Sequence, residues 1–447
     1  MRKILAVMLA VAGCLAAHNC WGQSAQNSAR NVGPGLTGSW LVTLDFLGTP
    51  LLGPLELTQQ GNKLTGTIFG DKLEGTVDSR SVHFISDDGQ GSKGEVTATL
   101  DLNGTMSGTI VDIDAAGGKS DSHKFTAKRA AERVASAPKV HEFTPTVFYR
   151  QFSPLNKPVL TVSPGDTIHT TTVDAGGKDE KGVTRVLGGN PETGPFYVES
   201  AVPGDTLVVH IVKLKLNRDW AGSDDAIVDR GMDSGFAVKM KDAGKSVRWH
   251  LDTARGVASP EKPGEHMARY TVPLRPMLGC VATATNPAQA PPGSGDSGGY
   301  GGNMDFNENV EGATIYLPVS VPGAMLYFGD GHAAQGEGEL NGNALETSMD
   351  VEISVEVISK KRTRGPRVES ATHIMAMGLA GSIDDAFRDA TSSMAQWLAE
   401  DYKLTPSEVA QVLGTSSEYR VSEVADRNAG VVIKINKERL AGLSAGK

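Results

Sequence analysis

Residues 312–340 read GATIYLPVSVPGAMLYFGDGHAAQGEGEL. Its short apolar runs, rich in β-branched and aromatic residues, read as strand. The second run ends in Gly329-Asp330-Gly331-His332. Glycine lets the backbone bend sharply there and brings polar side chains together. On an extended chain Asp330 and His332, two residues apart, face the same side, which suits two ligands of one divalent ion. Glu337 and Glu339 share a face by the same rule, and either could be a ligand or a general base. The plain alternative is that Asp and Gly form turns and that His332 is an ordinary satisfied histidine. No HExxH string and no clustered His or Cys pair sharpens the metal reading.

Working outward, the segments PVLTVSPGDTIHTTTVDA (158–175), GPFYVESAVPGDTLVVHIVKLKL (194–216) and SMDVEISVEVIS (348–359) read as further strands. Two of them carry Pro-Gly-Asp-Thr, at positions 164–167 and 203–206. In such a turn Gly takes a positive φ and Asp caps the backbone before an alternating strand. The pair predicts two hairpin edges of one large β-sandwich. Helical spacing appears near the end, at 382–402 with Ser382 as N-cap, and at 405–415 with Thr405, Pro406 and Glu408 forming a capping box. A last strand, GVVIKIN, follows.

In the other direction, residues 36–128 alternate short apolar and polar runs with turn signals about every ten residues, which predicts a small antiparallel β-barrel. That part resembles the lipocalin-like modules found at the front of some exported bacterial proteins. Residues 129–139 read as a linker and residues 140–447 as the second domain. The fold class is therefore mainly β: a small antiparallel barrel, then a large β-sandwich domain with C-terminal helices. A length of 447 residues suits two domains, and 53 glycines with few aromatics favour turns over helices.

The first 23 residues place Arg2 and Lys3 before an apolar run too short to span a membrane, the pattern of a signal peptide. The expectation is an exported protein, periplasmic or secreted, with lipoprotein processing at Cys14 as the alternative. After removal of the leader only Cys280 remains, so no intramolecular disulfide is available. A net charge of -9 without a basic cluster argues against a nucleic-acid partner.

Two nucleophile readings fail on the residues. Gly295-Asp296-Ser297-Gly298-Gly299 looks like a trypsin-type serine motif, but the sole string like its histidine motif, AAHNC (16–20), lies in the leader. The glycines around Ser297 predict a mobile loop. Cys280 sits among apolar neighbours and reads as a buried structural thiol.

GGNMD (301–305), YLPVSVPGAMLYFGDGHAAQGEGE (316–339), ALET (344–347), TGPFYVESAVPGDTLVVHI (193–211), WHLD (249–252) and HIMAMGL (373–379) together resemble the acetamidase/formamidase family, in order, over about residues 140–437. The resemblance implies hydrolysis of the C–N bond of short aliphatic amides to carboxylate and ammonia, a β-rich fold, a homo-oligomer and a divalent metal, with zinc ahead of calcium. Its polar centre falls on Asp305, Asp330, His332, Glu337 and Glu339. The roles expected from it are Asp305, Asp330 and His332 as metal ligands, with Asp174 as an extra one. Glu337 is then the general base, Glu339 orients His332, and Asn303 donates to the oxyanion. Two alternatives stand beside this: an exported amidase acting on a larger amide-bearing compound, and a ligand-binding protein without catalysis.

Overall fold

A computed structural model describes residues 35–130, 137–240 and 244–443. The leader, with Cys14, and residues 131–136 of the expected linker lie outside them.

Eight strands, from Gly38–Phe46 to His123–Arg129, each pair antiparallel with the next, and the last closes on the first. The cause is strict alternation. In Ser81–Asp87 every second side chain, from Val82 to Ser86, is buried, so one face of each strand feeds a common interior. Trp40, Leu55, Leu64, Phe84, Met106 and Phe125 fill it. An eight-stranded barrel is just wide enough for its own side chains, and this one is solid. It touches the rest of the chain through Asn286, whose amide donates to Leu52 O (2.7 Å) and accepts from Leu52 N (3.3 Å). A 2.7 Å ion pair between Lys360 and Glu56 adds to that contact.

The following residues build two large sheets, of nine and twelve strands. Met349–Ile358 lies within the nine-stranded sheet and buries Met349, Val351, Ile353, Val355 and Val357 on one face. Both Pro-Gly-Asp-Thr turns launch strands that flank it, Thr167–Thr171 on one side and Thr206–Leu216 on the other. Gly165 and Gly204 take φ of 99° and 98°. Asp166 Oδ2 accepts from Ser163 N, and Asp205 Oδ2 accepts from Val202 N. Side chains of the two sheets meet in one core, where Phe196 stacks on Phe328 at 5.4 Å.

Helix Ile383–Asp401 is capped by Ser382 and helix Pro406–Ser416 by a Thr405–Glu408 capping box. The longer helix buries Ala386, Ala390, Met394, Trp397 and Leu398 in a core with Ile374, Ile433 and Ile435 of strands His373–Ala380 and Ala429–Asn436. Among the described residues no helix is long and apolar enough to cross a membrane.

The glycine-rich stretch around Ser297 is not a mobile loop. Ser297–Gly298 and Gly301–Asn303 pair as a buried hairpin, with Gly301 and Gly302 at φ of 89° and 98°. A Cβ at Gly301 would strike Val281 O and one at Gly302 would strike Asp296 O, so the glycines here allow close backbone packing. Ser297 is buried and its Oγ has no partner, so nothing activates it as a nucleophile.

Candidate metal centre

His332 is the last residue of strand Leu326–His332, whose neighbours place Met277 opposite it on one side and Glu346 on the other. The backbone here is drawn tight by glycine. A Cβ at Gly279 would lie 2.5 Å from Asp305 Oδ1 and closer still to Asp330 Oδ2. A Cβ at Gly331 would lie 2.9 Å from Thr347 O. Three acids take left-handed backbone angles: Asp305 (φ 40°), Asp330 (φ 51°) and Glu339 (φ 45°). Such angles are uncommon outside glycine and cost about 1–3 kcal/mol each, and they gather where surrounding structure enforces a functional geometry.

The result is a buried cluster around one imidazole. His332 Nε2 lies 3.1 Å from Glu346 Oε1, 3.3 Å from Asp330 Oδ2 and 3.9 Å from Asp305 Oδ1. Despite this crowding, Nε2 makes no hydrogen bond of ordinary geometry. Asp305 Oδ1, Asp330 Oδ1 and Glu346 Oε2 are likewise buried without partners. Two sets of three residues, Asp305/His332/Glu339 and Asp330/His332/Glu346, each offer ligand atoms within 4.8 Å of one another. Several buried acids with orphaned oxygens and one imidazole are a poor arrangement by themselves and a good one around a divalent cation. The residues present fit the metal that the family resemblance implies.

The electrostatics say the same. Burial pushes Glu346 up to about 8 and Glu339 up to about 7, with His332 pulling both back and Asp330 adding to the rise. Burial and the charges of Glu339 and Asp330 hold Asp305 well above the usual carboxylate range. Burial opposes charge on His332, but Glu346 and Asp330 outweigh it and raise its pKa well above 6.5. In the absence of metal the cluster thus holds protons where a cation would sit.

Of the residues expected at the site, Asp305, Asp330, His332 and Glu339 come together. Glu339 stands as a candidate ligand beside His332, and its Oε1 accepts from Ala344 N at 2.9 Å. Glu337 does not join them. It is exposed, and pairs with Arg420 at 3.1 Å, because Gly338 and Glu339 both have positive φ and the two-residue alternation of a strand does not apply. Asp174 is buried in a 2.8 Å pair with Arg218, whose guanidinium lies over Trp220, and so has no place at the cluster. Asn303 reaches the site, but its amide is spent: Nδ2 donates to Asp305 Oδ2 (2.7 Å) and Asp426 Oδ2 (2.6 Å), leaving no proton for an oxyanion.

Four acids escape assignment from sequence. Glu346 is visible as an acid near the motif, but only strand pairing sets it opposite His332. Glu192 is fully buried with both oxygens unpartnered, and its Oε2 occupies the space a Cβ on Gly329 would take. Burial first, then Asp330, raises its pKa well above 4.5. Glu423 and Asp426 come from the C-terminal part, and burial pushes Glu423 up to about 8. Cys280 is buried, and burial and the charge of Glu192 push its thiol up, which suppresses the thiolate a nucleophile needs.

Asp330, Glu339, Glu346, Asp426 and Asn303 line a cavity of about 810 Å³. Its wall includes Tyr149, Arg150 and Asn190.

The profile of the Acetamidase/Formamidase family matches residues 294–378, the segment that carries Asn303, Asp305, Asp330, His332, Glu339 and Glu346. A Schizosaccharomyces pombe protein with a formamidase name is 36% identical over 212 residues, covering 37% of this chain and 51% of that protein. An acetamidase of Mycolicibacterium smegmatis is 27% identical over 223 residues, covering 37% of this chain and 53% of the other. The chain thus spans about half the length of these curated relatives. The crystal structure of an acetamidase from Yersinia enterocolitica superposes with a TM-score of 0.59 at 27% identity, covering 69% of this chain and 95% of that one. Sequence and architecture agree: residues 294–378 match the Acetamidase/Formamidase family, the larger part of the chain superposes on an acetamidase structure, and an eight-stranded β-barrel precedes that part.

Proposed function

We propose that the protein hydrolyses the C–N bond of short aliphatic amides to carboxylate and ammonia at this cluster, with a divalent cation. The observation that carries the reading is the set of orphaned, buried carboxylate oxygens around His332 at the edge of a cavity. The names of the relatives, formamidase and acetamidase, point to the same chemistry. When bound, the cation would polarise an amide carbonyl and lower the pKa of water.

Both candidate ligand sets share His332, so they describe one centre, and the better-anchored side chains would be its primary ligands. Asp305, His332 and Glu339 are each anchored by a neighbour: Asn303 donates to Asp305, Ala344 N donates to Glu339, and Gln335 Oε1 sits 2.9 Å from His332 Nδ1. Anchored ligands are the preorganised ones. They would hold the cation. Glu346 lines the cavity with one oxygen unpartnered; it takes the proton from the attacking water and passes it to the leaving nitrogen. A donor set that includes an imidazole would suit zinc better than calcium, which takes oxygen ligands.

The test is ammonia release from formamide, acetamide and propionamide, with and without chelator. Glu346→Gln should lose about 10²- to 10⁴-fold in rate while still binding metal. Folded, metal-loaded protein that releases no ammonia from any amide sinks the reading and favours a binding protein.

A second reading keeps the reaction and enlarges the substrate. A cavity of about 810 Å³ falls in the range that encloses drug-sized ligands, far beyond a one- or two-carbon amide. Arg150 at its wall bonds Gly188 O and suits a substrate with an anionic end. A larger amide winning on kcat/KM over acetamide decides for this reading. The signal-like leader supports a site of action outside the cytoplasm, and the family resemblance supports assembly as a homo-oligomer; cell fractionation and light scattering test the two.

A further inference from the structure

Gln335 lies three residues beyond His332, in the same glycine-rich segment, and belongs to neither ligand set. Its amide makes three contacts at once. Nε2 lies 2.5 Å from Asp305 O and 3.3 Å from Ser422 O, and Oε1 lies 2.9 Å from His332 Nδ1. The first two partners are backbone carbonyls, which can only accept. They settle which way the amide faces: the nitrogen must point to them, so the oxygen must point to the ring. An amide oxygen can only accept, and His332 Nδ1 must therefore carry a hydrogen. In the neutral ring that leaves the lone pair on Nε2, the nitrogen facing Asp305, Asp330 and Glu346.

We propose that Gln335 is the positioning residue of the metal centre: it fixes the His332 tautomer so that Nε2 is the ligand atom. The inference rests on the metal reading above. The same amide ties the ring to Asp305 through that residue's carbonyl, and to the C-terminal segment through Ser422, so ring and carboxylate are held to one another. The bond to Nδ1–H is common to the protonated and neutral ring, so nothing need rearrange when the ring loses its Nε2 proton to accept a cation. A metal-bound histidine generally donates its other ring N–H to a fixed acceptor, and losing that acceptor typically costs 10- to 100-fold in metal affinity. Here the acceptor is a neutral amide whose orientation is set by two carbonyls.

The test uses the full chain and zinc, with affinity measured by competition against a chromogenic chelator. Thermal unfolding serves as the check on folding. Gln335→Met keeps length and removes both hydrogen-bonding groups; zinc binding should weaken about 10- to 100-fold. Gln335→Glu keeps an acceptor for Nδ1–H and should recover most of that loss. A residue that merely braced the two carbonyls would make Glu at least as damaging as Met, because a carboxylate repels them. ¹⁵N NMR of labelled histidine in the zinc-loaded wild type should show Nδ1 protonated and Nε2 metal-bound. Wild-type zinc affinity in folded Gln335→Met, a ranking of Glu below Met, or zinc on Nδ1 overturns the proposal while leaving the metal centre standing. A wild-type chain that binds no divalent cation overturns the metal reading, and this inference with it.

Discussion

Gly279→Ala is the sharpest probe of the cluster, because it adds one methyl group and no charge. Gly279 faces the gap between two acids. The new Cβ would sit 2.5 Å from Asp305 Oδ1 and nearer to Asp330 Oδ2, whereas ordinary contact begins at 3.4 Å. Both carboxylates must retreat by roughly 1 Å, and neither can do so freely. Asp305 Oδ2 is held by Asn303, and both residues sit at constrained backbone angles. Overpacking of this kind costs about 1–3 kcal/mol, a fall of a few degrees in Tm. The site should suffer more than the fold, since a displacement of about 1 Å at reacting groups costs about 10²-fold in rate. The assays are thermal unfolding, zinc competition and ammonia release on the same preparation. Wild-type affinity and rate in folded Gly279→Ala would mean that the carboxylate of Asp305 does not serve the cation at this position, and the reasoning fails.

The metal-free protein should lose stability as pH rises. Glu339 and Glu346 titrate near 7 and 8 when folded, against 4.5 for an ordinary glutamate. The folded chain therefore carries more protons than the unfolded one between about pH 4.5 and 8, and stability falls across that window. His332, raised above 6.5, adds in the same direction. Melting temperatures at about pH 5.5, 7 and 8.5 in chelator should decline, and saturating zinc should flatten the decline. Asp174→Ala leaves the Arg218 charge buried without its ion-pair partner and should cost about 3–5 kcal/mol by chemical denaturation. Glu337→Gln breaks only an exposed pair worth about 0.2–1 kcal/mol, and steady-state kinetics should find hydrolysis near wild type.

The parts of the fold that sequence foretells are those set by local rules. Alternation is enough for the barrel, and Ser382, Thr405 and Glu408 cap helices by contacts within three residues. Asp330 and His332 are legible because they end one strand. Glu337 misleads because the strand rule does not carry past His332 onto a backbone with two successive positive φ angles. Glu192, Glu423 and Asp426 come from distant segments, and nothing in their local sequence signals where they go. Asn303 illustrates the remaining gap. Its position near the cluster is readable, but whether its protons are free depends on Asp305 and Asp426, two partners that only folding brings to it.

The pairing of His332 with Glu346 across adjacent strands divides the centre by heritability. Those two belong to the sheet lattice, where a slip of one residue would turn both side chains to the opposite face. Gln335 and Glu339 sit on the excursion between them, residues 335–344, whose backbone touches the C-terminal strand only through the Gly338–Glu423 bridge and its neighbouring bonds. Insertions and deletions in that excursion can therefore retune the third ligand and the ring's support while the imidazole–glutamate couple stays where it is. Lineages that diverge in substrate should differ there in length before they differ in the couple itself.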